Sequence, residues 1–181
     1  YTNAINLKKL NEASLKKISN ELILSNSGEA IIVSKNYTKG LVLRGYKKKD
    51  FSKLNVVKKG YFVGKSDQLE KNFISIGKEL SFNLDLSVGD RVTIMSPVGI
   101  ETIIGSLPKQ ETFFINSIFE SGLADFDTNI AFINLITLEN FFELENKKRN
   151  LEIYLKDPSN IQKAKKQIQK LFNDDYVYTW A

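Results

Sequence analysis

The chain has 181 residues, about one ordinary domain or a domain with a sizeable insertion, and 42% of them are hydrophobic, enough to bury a core. It contains no cysteine and no histidine, which excludes disulfides, thiol nucleophiles and histidine-based catalysis and removes the usual zinc and haem ligands. The net charge is +5, but only three basic residues are arginines. Scattered lysine mostly keeps a surface solvated, so we expect no nucleic-acid partner.

The chain begins at Tyr1 rather than at a methionine, and we therefore expect a processed or excised piece of a longer protein. Its start lacks the basic residues and the apolar stretch of a signal peptide. The longest apolar run, over 130–138, is interrupted by polar residues and falls well short of the ~20 residues that span a bilayer. The sequence thus predicts no membrane-spanning segment in this chain.

The N-terminal stretch predicts a helix followed by two strands. Leu7 and Leu10, and then Leu15, Ile18 and Leu22, recur at three- or four-residue spacing, which is typical of an amphipathic helix. A polar break at 25–28 then precedes a strand over 29–35, and a turn at 36–40 leads into a second strand over 39–46.

The middle of the chain predicts more strands than helices. A lysine run, Lys47 to Lys49 before Asp50, is expected to be a solvated turn, with a contact to lipid headgroups as the alternative. One short helix carries Leu80 and Leu84, and another is capped by Thr137. The predicted strands are 73–77, 91–95, 112–119 and 129–133.

The C-terminal stretch predicts a strand, a helix and a closing strand. Apolar residues alternate over 151–155, and Asp157 followed by Pro158 begins a helix, with the carboxylate as N-cap. A closing strand is expected over 176–180. The apolar face of the helix is formed by Ile161, Ala164, Ile168 and Leu171. Helices and strands from both ends can share one sheet, which makes the middle an insertion and the fold class α+β.

A sixteen-residue excursion, the hairpin 96–111, joins two of the predicted strands. Its proline and glycine residues frame Ile100, Ile103, Ile104 and Leu107. Hairpin loops commonly have two to five residues, so this one is expected to protrude and to present apolar side chains to a partner. The alternative is that it lies flat on its own sheet and fills a gap.

One carboxylate cluster, Glu120 with Asp125 and Asp127, is the only candidate for chemistry. Paired carboxylates can hydrolyse a substrate, but a polar turn between two elements explains the same residues. The cluster lacks the glycine and the glutamate of an EF-hand loop, and Gly99 and Gly105 do not open a phosphate-binding helix. We therefore predict no metal, no cofactor and no catalytic residue.

Several runs together resemble one known family. The run 77–94 combines Gly-Lys-Glu-Leu with Leu-Ser-Val-Gly-Asp-Arg-Val, and the run 96–135 adds Gly-Ser-Leu-Pro, Phe-Glu-Ser-Gly-Leu and Asp-Phe-Asp-Thr-Asn. The runs 151–155 and 179–180 extend the likeness over essentially the whole chain. Their combination resembles the extracytoplasmic domain of the lipoprotein-releasing permeases of the LolC/LolE type, which is related to the MacB-like periplasmic core domain.

The resemblance implies a domain organisation. A porter-like α/β layer would be built from both termini, over residues 1–46 and 147–181. Residues 47–146 would form an inserted strand-rich subdomain that carries the protruding hairpin 96–111. Membrane helices of the permease would flank the chain rather than lie in it.

The resemblance also implies a function on the periplasmic face of the bacterial inner membrane. Such a domain is non-catalytic and works with a second permease chain and a separate cytoplasmic ATPase subunit. The complex releases an outer-membrane lipoprotein, its substrate, and passes it to a periplasmic lipoprotein carrier.

The family's carrier-recruiting permease has a hairpin, the hook, at the position of 96–111. By that match Ile103 and Ile104 would form its apolar tip. Gln110 and Glu111 stand where the recruiting type tends to have a basic residue, so the chain is either the recruiting permease or its partner. The residues assigned to partner binding are Ile100, Ile103, Ile104, Gly105, Leu107, Pro108, Gln110 and Glu111.

The alternative function is that of a related MacB/FtsX-type permease. Its extracytoplasmic domain would act in efflux or in the control of cell-wall enzymes, and the hairpin would meet a membrane-fusion adaptor or a hydrolase.

Overall fold

The computed structural model describes residues 5–6, 12–35, 37–66, 69–102, 105–144, 148–172 and 176–179. The strands are β1 (Ile5–Asn6), β2 (Ser19–Ser34), β3 (Tyr37–Tyr46), β4 (Tyr61–Gly64), β5 (Phe73–Gly77), β6 (Arg91–Thr102), β7 (Gly105–Glu120), β8 (Ile130–Asn134) and β9 (Lys148–Leu155). The helices are α1 (Glu12–Ile18), α2 (Lys48–Phe51), α3 (Asn55–Lys59), α4 (Lys78–Asn83), α5 (Ala124–Asn129), α6 (Leu135–Phe141) and α7 (Ile161–Leu171). The fold is mixed, with a strand-rich sheet and short helices, as the α+β prediction requires.

Contacts divide the chain into two compact units. The first unit contains residues 1–25 and 145–181, and the second contains 26–144. The first boundary therefore lies within β2, about one strand earlier than the predicted boundary after residue 46. Strand β3 falls in the second unit because it pairs in parallel with β8, from Val42 opposite Ile130 to Tyr46 opposite Asn134. That 47–146 is an inserted subdomain stays a prediction.

In the first unit, β9 pairs on one side with β1 and on the other with the first part of β2. Leu15 of α1 and Ile168 of α7 are buried together with Phe172, and the apolar face of β9 packs against this cluster. The Asp157 carboxylate accepts a hydrogen bond from the Ser159 N–H at 3.0 Å, as the predicted cap requires, but it caps the 3-10 turn Pro158–Asn160, and α7 begins only at Ile161. Hydrogen bonds from the Ser159 hydroxyl and the Asn160 amide lower the pKa of Asp157.

Four predictions for the two ends of the chain are wrong. Leu22 is not helical but lies in β2 opposite Ile153, and residues 7–11 lie outside the described part. The polar break at 25–28 is part of the same strand, since the Ser25 hydroxyl donates to Glu152 Oε1 across the sheet at 2.6 Å. Residues 176–179 form no strand, and Trp180 lies outside the described residues. Leu171 is exposed, and Phe172 takes its place in the core.

The strand pairings of the second unit close into a ring. The order β2-β3-β8-β5-β7 returns to β2 through β6, which pairs with β7 along its length and with β2 at Ile31 opposite Met95. Strand β4 pairs with the last residues of β7 outside this ring. The core contains apolar side chains from all six ring strands and from α4 and α6. Burial on one face of each strand follows from the alternation of strand side chains.

The helices of the second unit differ from the prediction, which did not include α3 and α5. Helix α6 is capped by Asn134 rather than Thr137, because Asn134 Oδ1 accepts from the Ile136 and Thr137 N–H groups at 2.9 and 3.3 Å. The lysine run expected to be a turn forms α2. Six aromatic side chains of the second unit form a cluster in which neighbouring ring centroids lie 5.0–6.3 Å apart; they are Tyr46, Phe51, Phe62, Phe119, Phe126 and Phe132.

Within the described residues, no helix combines the length and the apolar character needed to cross a membrane.

Candidate functional site

The hairpin 96–111 continues the pairing of β6 and β7 beyond the strands that were predicted. The register runs from Arg91 opposite Phe114 to Met95 opposite Gln110, shifts, and resumes from Gly99 opposite Pro108 to Thr102 opposite Gly105. The shift places extra residues on β6 around Pro97, which has no N–H to donate to the ladder. The described residues of the hairpin therefore form a bulged two-stranded ladder rather than a loop.

The inner part of this ladder is buried and the outer part is exposed. Val92, Ile94 and Phe113 lie in the core, at 2%, 0% and 0% exposure. Pro97 in the bulge and Pro108 beyond it are exposed, and 52% of Leu107 is exposed. The core thus anchors the base of the hairpin, and the outer part of the hairpin presents apolar surface to solvent.

The predicted partner-binding residues fall on this outer part where they are described. Ile100 lies in β6 opposite Leu107, and Gln110 is exposed while Glu111 is half-buried opposite Ile94. Gly105 begins β7 with a φ of +118°, a conformation that favours glycine. The two tip residues, Ile103 and Ile104, lie outside the described residues. The protrusion of the hairpin and its role stay predictions.

A tether that the sequence did not reveal holds the base of the hairpin. The Lys109 ammonium donates to the Asn140 carbonyl oxygen at 2.8 Å and to Glu143 Oε1 at 3.1 Å. These acceptors lie at the end of α6 and just beyond it, more than thirty residues away in sequence. Because one acceptor is a backbone carbonyl, no residue type at that position could have predicted the contact.

The three acidic side chains of the cluster do not converge on one site, and two of them make contacts within the scaffold. Both carboxylate oxygens of Asp127, which is 3% exposed, accept the Ser121 N–H at 3.1 Å. Glu120 instead pairs with the Lys78 ammonium at 2.9 Å, and this hydrogen bond raises the pKa of Lys78. Asp125 lies exposed in the first turn of α5. No cluster of three metal-binding side chains occurs in the parts of the chain that the structure describes.

The run 77–94, which carries the family resemblance, builds scaffold. A side chain on Gly77 would collide with the backbone of Asp127, so α4 and α5 can approach closely only with glycine there. Leu80, Leu84 and Leu86 are buried in the core of the second unit. Gly89, at a φ of +97°, donates its N–H to the Ile115 carbonyl oxygen at 2.7 Å. The residues of this motif thus position β6 and β7.

Solved structures with a similar fold are extracytoplasmic domains of ABC-type permeases. The periplasmic region of MacB from Actinobacillus actinomycetemcomitans matches with a TM-score of 0.58 and 11% identity over 98% of this chain and 79% of that one. The extracellular domain of the ABC-type transporter YknZ from Gram-positive bacteria matches with a TM-score of 0.57 and 14% identity, over 94% of this chain and 83% of that one. At such identities the likeness shows a common fold.

Curated relatives confirm the resemblance to the lipoprotein-releasing permeases. The "Lipoprotein-releasing system transmembrane protein LolC" of Neisseria meningitidis serogroup B is 25% identical over 150 residues, 82% of this chain and 34% of that protein. The protein of the same name from Xylella fastidiosa strain Temecula1 is 26% identical over 106 residues, 58% of this chain and 26% of that protein. The matched part is thus at most about a third of each relative. No protein-family model matches the chain.

Proposed function

We propose that this chain is the periplasmic domain of an inner-membrane ABC-type permease that releases outer-membrane lipoproteins. The observation that carries the proposal is the similarity to LolC over 82% of the chain. The fold agrees, since MacB and YknZ carry it on the outer side of the membrane.

In this role the domain is non-catalytic. ATP is hydrolysed on a separate cytoplasmic subunit, and the motion reaches this domain through the membrane segments of the permease. A second permease chain completes the complex, which transfers the lipoprotein to a periplasmic carrier. The engagement of Asp127 and Glu120 in scaffold contacts is consistent with a domain that transmits motion and docks a partner.

The hairpin 96–111 is the part that docks the carrier in this proposal. Leu107 is 52% exposed, and because burying a fully exposed leucine side chain is worth about 1.5–3 kcal/mol, this residue can contribute about half of that. The Lys109 tether and the buried base restrict its motion, which reduces the ordering cost of binding. Ile103 and Ile104, which lie outside the described residues, are predicted to contribute to the same contact.

The test compares two leucine substitutions. Leu107→Asp should weaken binding of the 181-residue chain to the periplasmic lipoprotein carrier of the same bacterium at least tenfold, measured by titration calorimetry. Leu123→Asp is the matched control, because Leu123 is 66% exposed on the loop before α5 and lies outside the hairpin. The double variant Ile103→Asp, Ile104→Asp should abolish binding while the thermal transition stays nearly unchanged. Undiminished binding of both hairpin variants would refute the docking role.

The second candidate is a MacB/FtsX-type permease in efflux or cell-wall enzyme control. The TM-scores of 0.58 and 0.57 to MacB and YknZ favour it as an alternative. Capture of a membrane-fusion adaptor or a cell-wall hydrolase by the immobilised chain, with no binding of the lipoprotein carrier, would select it. Gln110 and Glu111 keep a third outcome open, in which the chain is the lipoprotein-releasing partner permease and its sister chain recruits the carrier.

A further inference from the structure

The C-terminal end of α6 is where three parts of the second unit meet. The helix ends at Phe141, and the chain leaves it through Glu143, whose φ of +55° is the left-handed conformation of a helix C-terminal cap. The N–H of Leu144 donates back to the Glu139 carbonyl oxygen at 2.8 Å and closes this cap. We call residues 139–144 the α6 junction. Its last residue is also the last residue of the second unit.

The strand that enters the second unit is attached to the α6 junction by a buried hydrogen bond. Asn26, the first residue of this unit, is 5% exposed, and its side-chain amide donates to Glu139 Oε1 at 2.9 Å. Glu139 itself is 1% exposed. Two residues further along β2, a Cβ on Gly28 would lie 2.6–2.9 Å from three atoms of the Phe142 ring. The entering strand and the junction are therefore in direct contact at two points.

The hairpin 96–111 is attached to the same junction through Lys109. Its ammonium group donates to the Asn140 carbonyl oxygen at 2.8 Å and to Glu143 Oε1 at 3.1 Å. The carbonyl groups at the end of a helix carry partial negative charge and attract a cation. Because 71% of the Glu143 side chain is exposed, its ion pair is screened by solvent, and the bond to the carbonyl oxygen is the main attachment.

We propose that the α6 junction couples the order of the hairpin to the Asn26 end of β2. The Asn26–Glu139 bond holds the last turn of α6, and that turn presents the Asn140 carbonyl oxygen to Lys109. When the turn shifts, Lys109 loses its acceptor, and the outer ladder of the hairpin depends on its own pairing. Coupling between sites is reciprocal, so a partner that fixes the hairpin also stabilises the Asn26–Glu139 bond.

The coupling connects the docking site to the points where the chain enters and leaves the second unit. Residues 26 and 144 bound this unit, and each makes a hydrogen bond to Glu139. A displacement of either connection therefore acts on the turn that holds Lys109. The coupling itself needs no partner, and only its effect on carrier docking rests on the proposed function. A less ordered hairpin has a larger ordering cost on binding and so a lower affinity for the carrier.

The experiment is a double-mutant cycle followed by hydrogen–deuterium exchange of the 181-residue chain. The reporter amides lie in the outer ladder, residues 99–102 and 105–107, and their exchange rates are divided by those of the buried strand β5. Lys109→Met removes the ammonium group and should speed reporter exchange about tenfold. Asn26→Ala should speed it at least about threefold, but less than about 1.5-fold when Lys109→Met is already present, because the link is then broken.

Gly28→Ala perturbs the same link without removing a hydrogen bond. The added methyl group displaces the Phe142 ring and with it the α6 junction, and we expect reporter exchange to rise at least about twofold. This rise should also disappear when Lys109→Met is present. The variant gives a result even when Asn26→Ala does not fold, which circular dichroism and the thermal transition would show. Unchanged reporter exchange in folded Gly28→Ala would contradict the coupling.

Two control variants separate the coupling from a general loss of stability or charge. Ser75→Ala removes the buried 2.8 Å hydrogen bond between the hydroxyl groups of Ser117 and Ser75, and Lys59→Met removes an exposed lysine of α3. Changes at sites that share no partner act independently, so neither should alter the reporter ratio more than about 1.5-fold. An equal rise in Ser75→Ala and Asn26→Ala would overturn the coupling. Equal effects of Asn26→Ala with and without Lys109→Met would do the same.

Titration with the periplasmic carrier distinguishes the coupling from the docking role. Absence of carrier binding by the wild type would refute the carrier assignment and leave a coupling shown by exchange standing. If the wild type binds, Asn26→Ala should weaken binding by about the factor by which it speeds reporter exchange. Wild-type affinity in an Asn26→Ala chain whose hairpin exchanges faster would overturn the regulation of docking.

Discussion

Gly77 is the position where one added carbon should disturb the second unit most. It lies at the end of β5 and caps α4, and its φ of −72° suits any residue, so a substitution acts through space rather than backbone strain. An ideal Cβ there would lie 2.5 Å from both the Cα and the carbonyl carbon of Asp127. Backbone atoms cannot rotate away, so α5 must shift. Overpacking of this kind costs about 1–3 kcal/mol, and we expect Gly77→Ala at the upper end.

The free energy of unfolding should be measured by urea denaturation and the transition temperature by calorimetry. A loss of about 3 kcal/mol corresponds to about 6–12 °C for a chain of this size. Gly40→Ala is the matched control, because a Cβ on Gly40 meets nothing within 4 Å, and we expect a change below about 0.5 kcal/mol or a small gain. If Gly77→Ala were as stable as Gly40→Ala, the close approach of α4 and α5 would be wrong.

Two further substitutions test the scaffold and the hairpin. Asp127→Ala removes the acceptor of the Ser121 N–H and should lower the free energy of unfolding, measured by urea denaturation, by about 1–3 kcal/mol. The control Asp125→Ala changes an exposed carboxylate and should lower it by less than about 0.5 kcal/mol. Similar losses in the two variants would contradict the structural role of Asp127. Gly105→Ala places a side chain at a φ of +118°, which costs about 1–3 kcal/mol locally. The amides of Thr102 and Gly105 should then exchange faster with deuterium, and unchanged exchange would contradict the turn geometry.

Strands β5 and β8 followed from the sequence because local pattern and tertiary context agree there. The apolar run 73–77 and the strand 129–133 are buried on the ring, so burial favours the same extended state as their β-branched residues. Asp157 with Pro158 predicted a helix start for a local reason, since the cap needs only neighbouring N–H groups.

Elsewhere long-range pairing overrode the local signal. Leu22 continues a helical spacing but pairs with Ile153, a residue more than a hundred positions away. The serines and asparagine of 25–28 are typical of a turn, but the fold satisfies their polar groups across the sheet, as in the 2.6 Å bond from Ser25 to Glu152. No local pattern contains that information.

The sequence predicted where the candidate site lies along the chain, but not the bulge and the contacts that hold it in place. Proline and glycine marked the hairpin 96–111, yet the bulge at Pro97 and the tether from Lys109 to the end of α6 depend on backbone atoms of other elements.

Site-specific photo-crosslinking tests the docking role of the hairpin most directly. A photoreactive amino acid replaces Leu107 in the full-length permease, in membranes that contain the ATPase subunit and the periplasmic carrier. We expect a cross-link to the carrier from position 107 and none from position 123. Cross-links from position 107 only to the permease itself, or equally strong ones from both positions, would contradict the proposal that the hairpin recruits the carrier.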